Sequence, residues 1–254
     1  MSVLLECNAL RVAVPGRVLI EHLDCAIRAG EFLALLGGNG TGKSLLLRTM
    51  AGLRAPAAGQ VRLAGANIGT LARRDVARRL GFLPQDPEAP PQGNVRETVL
   101  LGRFAHLGFW RSPGAADDAL VARALDEVGL SALATRELGS LSGGEQRRAA
   151  IARLRVQSPS VYLLDEPTNH LDPAQQISVL QGMRDLTRGG AAAIVSLHEP
   201  NLALRFADRV ALLSGEGDAS LVDTADLETG HLGRLYGLSY AESRLAGYRV
   251  VAPA

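Results

Sequence analysis

Apolar residues in this chain come mostly in short, nearly unbroken runs, at 31–36, 80–83, 161–164 and 191–197. Such runs, bounded by turn signals, predict strands covered on both faces, as in a parallel sheet packed between helices. Helix-period segments are predicted between them, at 45–51, 71–79 and 172–188. The last opens on Asp172 as a cap, with Pro173 in the first turn. Two strands, 4–14 and 18–27, precede the first run and are broken by Pro15-Gly16; a further strand at 60–63 follows Gly52. The middle of the chain differs in character. Three prolines in 86–92 predict an exposed turn or linker. Asn94, with Glu97 three positions on, predicts a reciprocal cap opening a helix to about Leu101. A second helix is predicted over 116–128, with Leu120, Val121, Ala124, Leu125 and Val128 on one face and Gly129 as its stop; a third begins near Gly143. The expected fold is α/β, with a mainly parallel sheet core and N-terminal antiparallel strands. A helical subdomain is inserted at about 86–158, between core segments at about 1–85 and 159–254. The stretch 198–213 is assigned no element, and the pattern after Leu213 is weak and punctuated by glycine.

Composition adds mainly exclusions. The 254 residues are 47% apolar and 21% charged, with a net charge of +1, so no global field draws the chain to nucleic acid or an acidic membrane. No run approaches the roughly 18 apolar residues of a membrane span, and the first residues lack the basic and long apolar regions of a secretory signal. Cys7 and Cys25 are the only cysteines, which excludes a disulfide framework and predicts buried thiols in a reducing compartment. A soluble, intracellular protein is expected.

The chemistry enters with Gly37-Gly38-Asn39-Gly40-Thr41-Gly42-Lys43-Ser44, set between the run at 31–36 and the helical segment at 45–51. Strand, glycine-rich turn and helix start is the arrangement of a phosphate-binding loop, and therefore of a P-loop NTPase. Glycines let successive amides turn around a polyphosphate, and the helix N-terminus favours negative charge. Lys43 is placed to reach the outer phosphates, and the Ser44 hydroxyl to ligand Mg²⁺. The second element is the apolar strand at 161–164 ending in Asp165-Glu166. Asp165 then stands at the carboxyl edge of the sheet, where open α/β sheets bind ligands, positioned to hold Mg²⁺ through its water shell, and Glu166 can orient or deprotonate an attacking water. The third is Leu141-Ser142-Gly143-Gly144-Glu145-Gln146, in which Ser142 caps a helix whose first amides are left open to an anion.

Taken in order, the phosphate loop, Gln85, Leu-Ser-Gly-Gly-Glu-Gln, Leu-Leu-Asp-Glu-Pro and His198 resemble the ATP-binding cassette (ABC) ATPases over about residues 3–213. The resemblance implies one ABC ATPase domain using ATP and Mg²⁺. Glu166 is then the catalytic base, His198 the switch contacting the γ-phosphate, and Gln85 a contact to Mg²⁺ and the attacking water. It further implies a head-to-tail homodimer in which Ser142, Gly143, Gly144 and Gln146 of one copy close over ATP on the loop of the other. Asn169-His170-Leu171-Asp172 is then a dimer-contact loop centred on Asp172. The chain departs from the family in three places. No aromatic residue is available under the adenine near 11–15, leaving Val14 and Arg17 to replace it; Leu45 follows Ser44 where a second hydroxyl is common; and Glu199 follows His198 where aspartate is commoner.

The segment Gly102-Arg103-Phe104-Ala105-His106 further resembles the iron-siderophore, haem and cobalamin import ATPases. That resemblance implies transmembrane permease partners, with a cytoplasmic helix of the permease entering the cleft near Gln85. It also implies an indirect dependence on a periplasmic substrate-binding protein, a peripheral position on the cytoplasmic face of the inner membrane, and no nucleic-acid partner. The alternatives are a mechanical ABC ATPase of the ribosome or of DNA repair and a nucleotide-sensing module. The first would bring a second cassette or a coiled-coil insertion, absent from this sequence, and the second sits poorly with Lys43, Asp165, Glu166 and His198 all in place.

Overall fold

The computed structural model describes residues 2–85, 93–107 and 112–254, so the proline-rich turn expected at 86–92 lies outside the described residues. The chain opens with strands β1 (Val3–Val14), β2 (Arg17–Ile20), β3 (Cys25–Arg28) and β4 (Phe32–Leu36), then helix α1 (Lys43–Met50). Next come β5 (Ala58–Leu63), β6 (Ala66–Asn67), α2 (Arg73–Arg79) and β7 (Leu80–Leu83), followed by helices α3 (Val95–Leu100), α4 (Ala115–Glu127) and α5 (Gly143–Gln157). Alternation then resumes with β8 (Val161–Leu164), α6 (Pro173–Arg188), β9 (Ala192–Ser196), α7 (Pro200–Phe206) and β10 (Arg209–Leu213). β11 (Ala219–Asp223), α8 (Thr229–Tyr236), β12 (Tyr240–Leu245) and β13 (Tyr248–Pro253) complete the chain.

The short apolar runs form the central sheet, in the order β11-β10-β4-β9-β8-β7. Every pair from β10 to β7 is parallel, and β11 joins antiparallel at one edge. Alternate residues of each run go to opposite faces, and both faces are covered. Leu33, Leu35, Leu163 and Ile194 pack with Leu46, Leu47 and Met50 of α1. Phe32, Leu36, Leu164 and Val195 pack with Leu180 and Met183 of α6 and Phe206 of α7. Burial on both faces is why these strands contain so few polar residues; each such side chain contributes about 1.5–3 kcal/mol through removal from water. No helix among the described residues is long and apolar enough to cross a membrane.

The N-terminal strands are antiparallel, as expected, with β1 paired to β2, β3 and β5. The single strand expected at 18–27 is two, β2 and β3. Between them β1 kinks at Ala9 (φ 46°), whose amide donates to the Asp24 carboxylate at 2.6 Å, and the regular ladder is interrupted, although Leu10 and Leu23 still exchange two backbone hydrogen bonds at 3.0 Å. Cys7 lies opposite Cys25 in the β1–β3 register, and both are buried free thiols. Burial pushes the Cys25 thiol up to about 11, so it behaves as a small apolar group.

α3, α4 and α5 bury their apolar faces against one another, through Val95, Val99, Val121, Leu125, Ala149 and Val156. The predicted reciprocal cap of α3 forms, with the Asn94 side chain accepting from the Glu97 amide and the Glu97 carboxylate accepting from the Asn94 amide. Leu120, expected on the buried face of α4, is instead exposed, whereas Val121, Ala124 and Leu125 turn inward. α7 and β10 occupy the stretch that the pattern leaves unassigned. The weakly patterned tail holds β11, α8 and a hairpin of β12 and β13 around a tight turn at Ala246-Gly247. Its hairpin is exposed on both faces apart from residues such as the buried Val251, so no alternation is written into it.

The Gly102-Arg103-Phe104-Ala105-His106 run anchors the C-terminal end of α5. Arg103 donates to the Val156 carbonyl at 3.2 Å and to the Asp117 carboxylate at 2.7 Å, while the His106 Nε2 lies 2.7 Å from the Gln157 carbonyl oxygen. Cationic and N–H groups here satisfy helix-end carbonyls that have no intrahelical partner. Gly102 permits the approach: a Cβ there would lie 2.3 Å from the Arg153 carbonyl oxygen. Gly102→Ala is therefore expected to lower stability by about 1–3 kcal/mol, as overpacking does; a urea titration with an unshifted midpoint would contradict this close contact.

Candidate functional site

Because the central strands are parallel, the residues that follow β4, β7, β8 and β9 all emerge at one edge of the sheet. An open cleft of about 690 Å³ lies there, lined by residues 39–45, Leu19, Gln85, Glu166, Asn169 and His198. The sequence-predicted phosphate loop, Gln85, Glu166 and His198 are thus brought together. The loop turns into α1 through Gly42 (φ 100°), a conformation that side chains rarely adopt, and a Cβ there would press on Leu19 at 3.2 Å. Thr41 Oγ1 donates to the Gly38 carbonyl at 2.9 Å, closing the loop on itself. The ammonium of Lys43, a residue only 5% exposed, donates to the Gly37 and Gly38 carbonyls at 2.7 and 3.0 Å. Burial lowers its pKa, and the nearby charges of Glu166 and Asp165 act the other way. A buried cation beside exposed loop amides is a strong point of attraction for a polyanion.

Across the cleft, β8 ends in two buried carboxylates. Asp165 is held from β9: Ser196 Oγ donates to Asp165 Oδ1 at 2.7 Å and accepts from the Glu166 amide at 2.8 Å. Glu166 adopts φ 47°, in the left-handed region that costs a side-chain-bearing residue about 1–2 kcal/mol. Its carboxylate has both oxygens engaged at the cleft wall, Oε1 with His198 Nε2 at 2.6 Å and Oε2 with Asn169 Nδ2 at 2.5 Å. Strain of this kind persists where the surroundings over-determine it, and such places cluster at functional sites.

Magnesium ions favour oxygen ligands and commonly take one or two from protein alongside substrate phosphates. The Ser44 hydroxyl and the Gln85 side-chain carbonyl line the cleft and supply that donor chemistry; the Asp165 carboxylate does not line it and, with Oδ1 on Ser196, would act through the ion's water shell. Among the described residues there is no cluster of three His, Cys, Asp or Glu that would bind a metal unaided. Neutral and anionic oxygen donors of this kind fit a magnesium ion that arrives with a phosphate ligand.

Other predicted residues lie elsewhere. Ser142, Gly143, Gly144 and Gln146 do not line this cleft. They form the N-terminal end of α5, where Ser142 and Glu145 cap each other and Gln146 donates to the Leu141 carbonyl at 3.0 Å. Asp172 caps α6, accepting from the Gln175 amide at 2.9 Å. The two ends are neighbours, since a Cβ on Gly144 would lie 3.3 Å from the His170 carbonyl oxygen. Val14 and Arg17, expected to replace an aromatic under the base, do not line the cleft; Arg17 donates to the Gly215 carbonyl at 2.8 Å, and Leu19 and Leu45 are the apolar residues that do line it.

Sequence reasoning missed Ser196 and Arg147, and placed Asn169 only in the dimer-contact loop, not on Glu166. Asn169 stands three residues after Glu166, a spacing that a strand-to-helix turn can bring back on itself. Ser196 had only a faint signal, a polar residue near the end of an apolar run. Arg147 follows the glycine pair in a basic stretch, yet it is only 8% exposed and reaches backbone carbonyls beside Gln85 and Glu166.

A family model described as ABC transporter matches residues 20–169. The chain is 42% identical over 224 residues to the hemin import ATP-binding protein HmuV of Nocardia farcinica, covering 87% of this chain and 77% of that one. It is 37% identical over 241 residues to the ferric enterobactin transport ATP-binding protein FepC of Escherichia coli, covering 92% and 88%. In three dimensions it resembles a chain from an inward-facing structure assigned to a metal-chelate type ABC transporter, at TM-score 0.84 and 28% identity, covering 100% and 98%. The matched family model, the sheet order and the convergence of loop, Glu166 and His198 agree, and the chain belongs to the ABC transporter family.

Proposed function

We propose that this chain is the ATP-hydrolysing subunit of an importer for a metal chelate: an iron-siderophore, haem or cobalamin. The observation that carries the hydrolytic part is Glu166, fixed by His198 and Asn169 at the wall of a phosphate-loop cleft; the chelate part is supported by the likeness to hemin and ferric enterobactin ATP-binding proteins. The loop amides and Lys43 bind and orient the triphosphate of ATP. Glu166 takes a proton from the attacking water, the role its buried, doubly held carboxylate suits. His198 links that carboxylate to the γ-phosphate, and Gln85 positions the water from the facing strand end. Magnesium held by Ser44, Gln85 and Asp165 supplies charge neutralisation of the phosphates when bound.

One chain offers its Ser142–Gly144 end away from its own cleft, which supports a head-to-tail homodimer with each end closing over the partner's nucleotide. Capping by Glu145 organises that end, and Gly143 has open space around it, with nothing within 4 Å of a Cβ built there. The γ-phosphate then bridges two copies, so ATP favours the closed dimer and its cleavage products do not. We treat the chain as one ABC ATPase domain, with a core of about 1–85 and 159–254 and a helical subdomain of about 86–158. The permease contacts the cleft near Gln85; Leu101 and Phe104, exposed at the other end of α5, are a separate apolar patch. The protein sits on the cytoplasmic face of the inner membrane through its permease, receives cargo-dependent signals from a periplasmic binding protein indirectly, and does not use nucleic acid.

Glu166→Gln is expected to retain ATP binding and to cut turnover by about 100-fold or more, trapping a dimer visible by sedimentation. Wild-type turnover in that variant would remove Glu166 as the base. Lys43→Ala is expected to weaken ATP binding by about tenfold or more, since a charge-assisted contact is lost. An unchanged affinity in a nucleotide titration would contradict the role given to the loop. Reconstitution with the candidate permease tests the transport reading: ATP-dependent uptake of a chelate supports it, and hydrolysis with no effect of any chelate permease opposes it.

A further inference from the structure

We propose that Arg147 is a positioning residue for hydrolysis, fixing the backbone on either side of Glu166 and tying it to Gln85 and to helix α5. Its Nη2 donates to the carbonyls of Asp165 and Glu166, at 2.5 and 2.8 Å. Its Nη1 donates to the carbonyls of Pro84 and Gln85, at 2.5 and 3.2 Å. One planar guanidinium thus spans the ends of the neighbouring parallel strands β7 and β8, which a single ammonium cannot do with the same geometry.

The consequence falls on Glu166. The peptide linking Asp165 to Glu166 has its carbonyl on Arg147 and its N–H on Ser196 Oγ. The next peptide has its carbonyl on Arg147 as well. With both flanking peptide planes pinned, rotation about the Glu166 backbone is blocked, and the residue is kept at φ 47°. That conformation is disfavoured for a residue with a side chain, so releasing the pins lets the backbone relax. The carboxylate would then swing away from His198 and Asn169. Arg147 also lies five residues after Ser142 on the same helix, so the end of α5 that closes over a partner's nucleotide is mechanically joined to the chain's own catalytic groups.

This inference rests on Glu166 acting in hydrolysis, and the experiment separates the two. Steady-state turnover and equilibrium ATP binding are measured for the full chain as wild type, Arg147→Lys, Arg147→Gln, Glu166→Gln and the double variant Arg147→Lys with Glu166→Gln. Arg147→Lys is expected to lower kcat by about tenfold to a hundredfold, the effect of misplacing a catalytic group, with ATP affinity within about twofold of wild type. Arg147→Gln is expected to lose more. In the Glu166→Gln background, Arg147→Lys should cost nothing further, because the two residues act as a unit. Wild-type kcat in Arg147→Lys overturns the proposal. So does a parallel fall in affinity, an equal loss in the Glu166→Gln background, or failure of both Arg147 variants to fold, which would make Arg147 only a structural strut. Glu166→Gln hydrolysing at the wild-type rate would instead remove the assignment of the base.

Discussion

β9 runs between β4 and β8, and the site depends on that placement. β4 delivers the phosphate loop, β8 delivers Asp165 and Glu166, and β9 separates them by one strand while carrying Ser196 and, just beyond, His198. Parallel pairing makes all of these segments leave the sheet at the same edge, so residues far apart in sequence meet without long loops. Ser196 converts that adjacency into a connection. Its hydroxyl satisfies a buried carboxylate and a buried amide together, in a setting where either left alone would be costly.

The remaining architecture transmits order to this edge. α5 is fastened at its far end by Arg103 and His106 on its final carbonyls, and near its start by Arg147 on the ends of β7 and β8. The helical layer and the sheet are thus joined by groups with defined geometry, in addition to apolar packing. The same Gly-Arg-Phe-Ala-His segment that resembles chelate importers has a clear local reason in packing: glycine for approach, arginine and histidine for orphan carbonyls. Phe104 alone of its larger side chains is left substantially open to solvent, at 57%.

Much of this was legible in the sequence because the physical demands are local. Runs buried on both faces must be apolar, and a loop wrapping phosphate must use glycine, so the central strands and the phosphate loop announce themselves. The carboxylates after β8 were legible for the same reason, as charge at the abrupt end of an apolar run. What was hidden depends on tertiary partners. Arg147 sits between Gln146 and Arg148 and looks like a solvated helix face, yet the fold turns it inward to four carbonyl oxygens. Asn169 reads as part of a dimer-contact loop, yet its side chain holds the Glu166 carboxylate. β2 and β3 looked like one strand because nothing in 18–27 foretells the kink at Ala9. The terminal hairpin is exposed on both faces and so leaves no periodicity to detect.

The central claim is that triphosphate and base meet in one cleft, completed by a second copy of the chain. A crystal structure grown with a nonhydrolysable ATP analogue and Mg²⁺ tests it most directly. The account predicts the outer phosphate within hydrogen-bond reach of Lys43 and His198, Glu166 facing it, and the Ser142–Gly144 end of another copy closing the cleft. An analogue bound elsewhere, or one whose outer phosphate points away from Glu166, would contradict it.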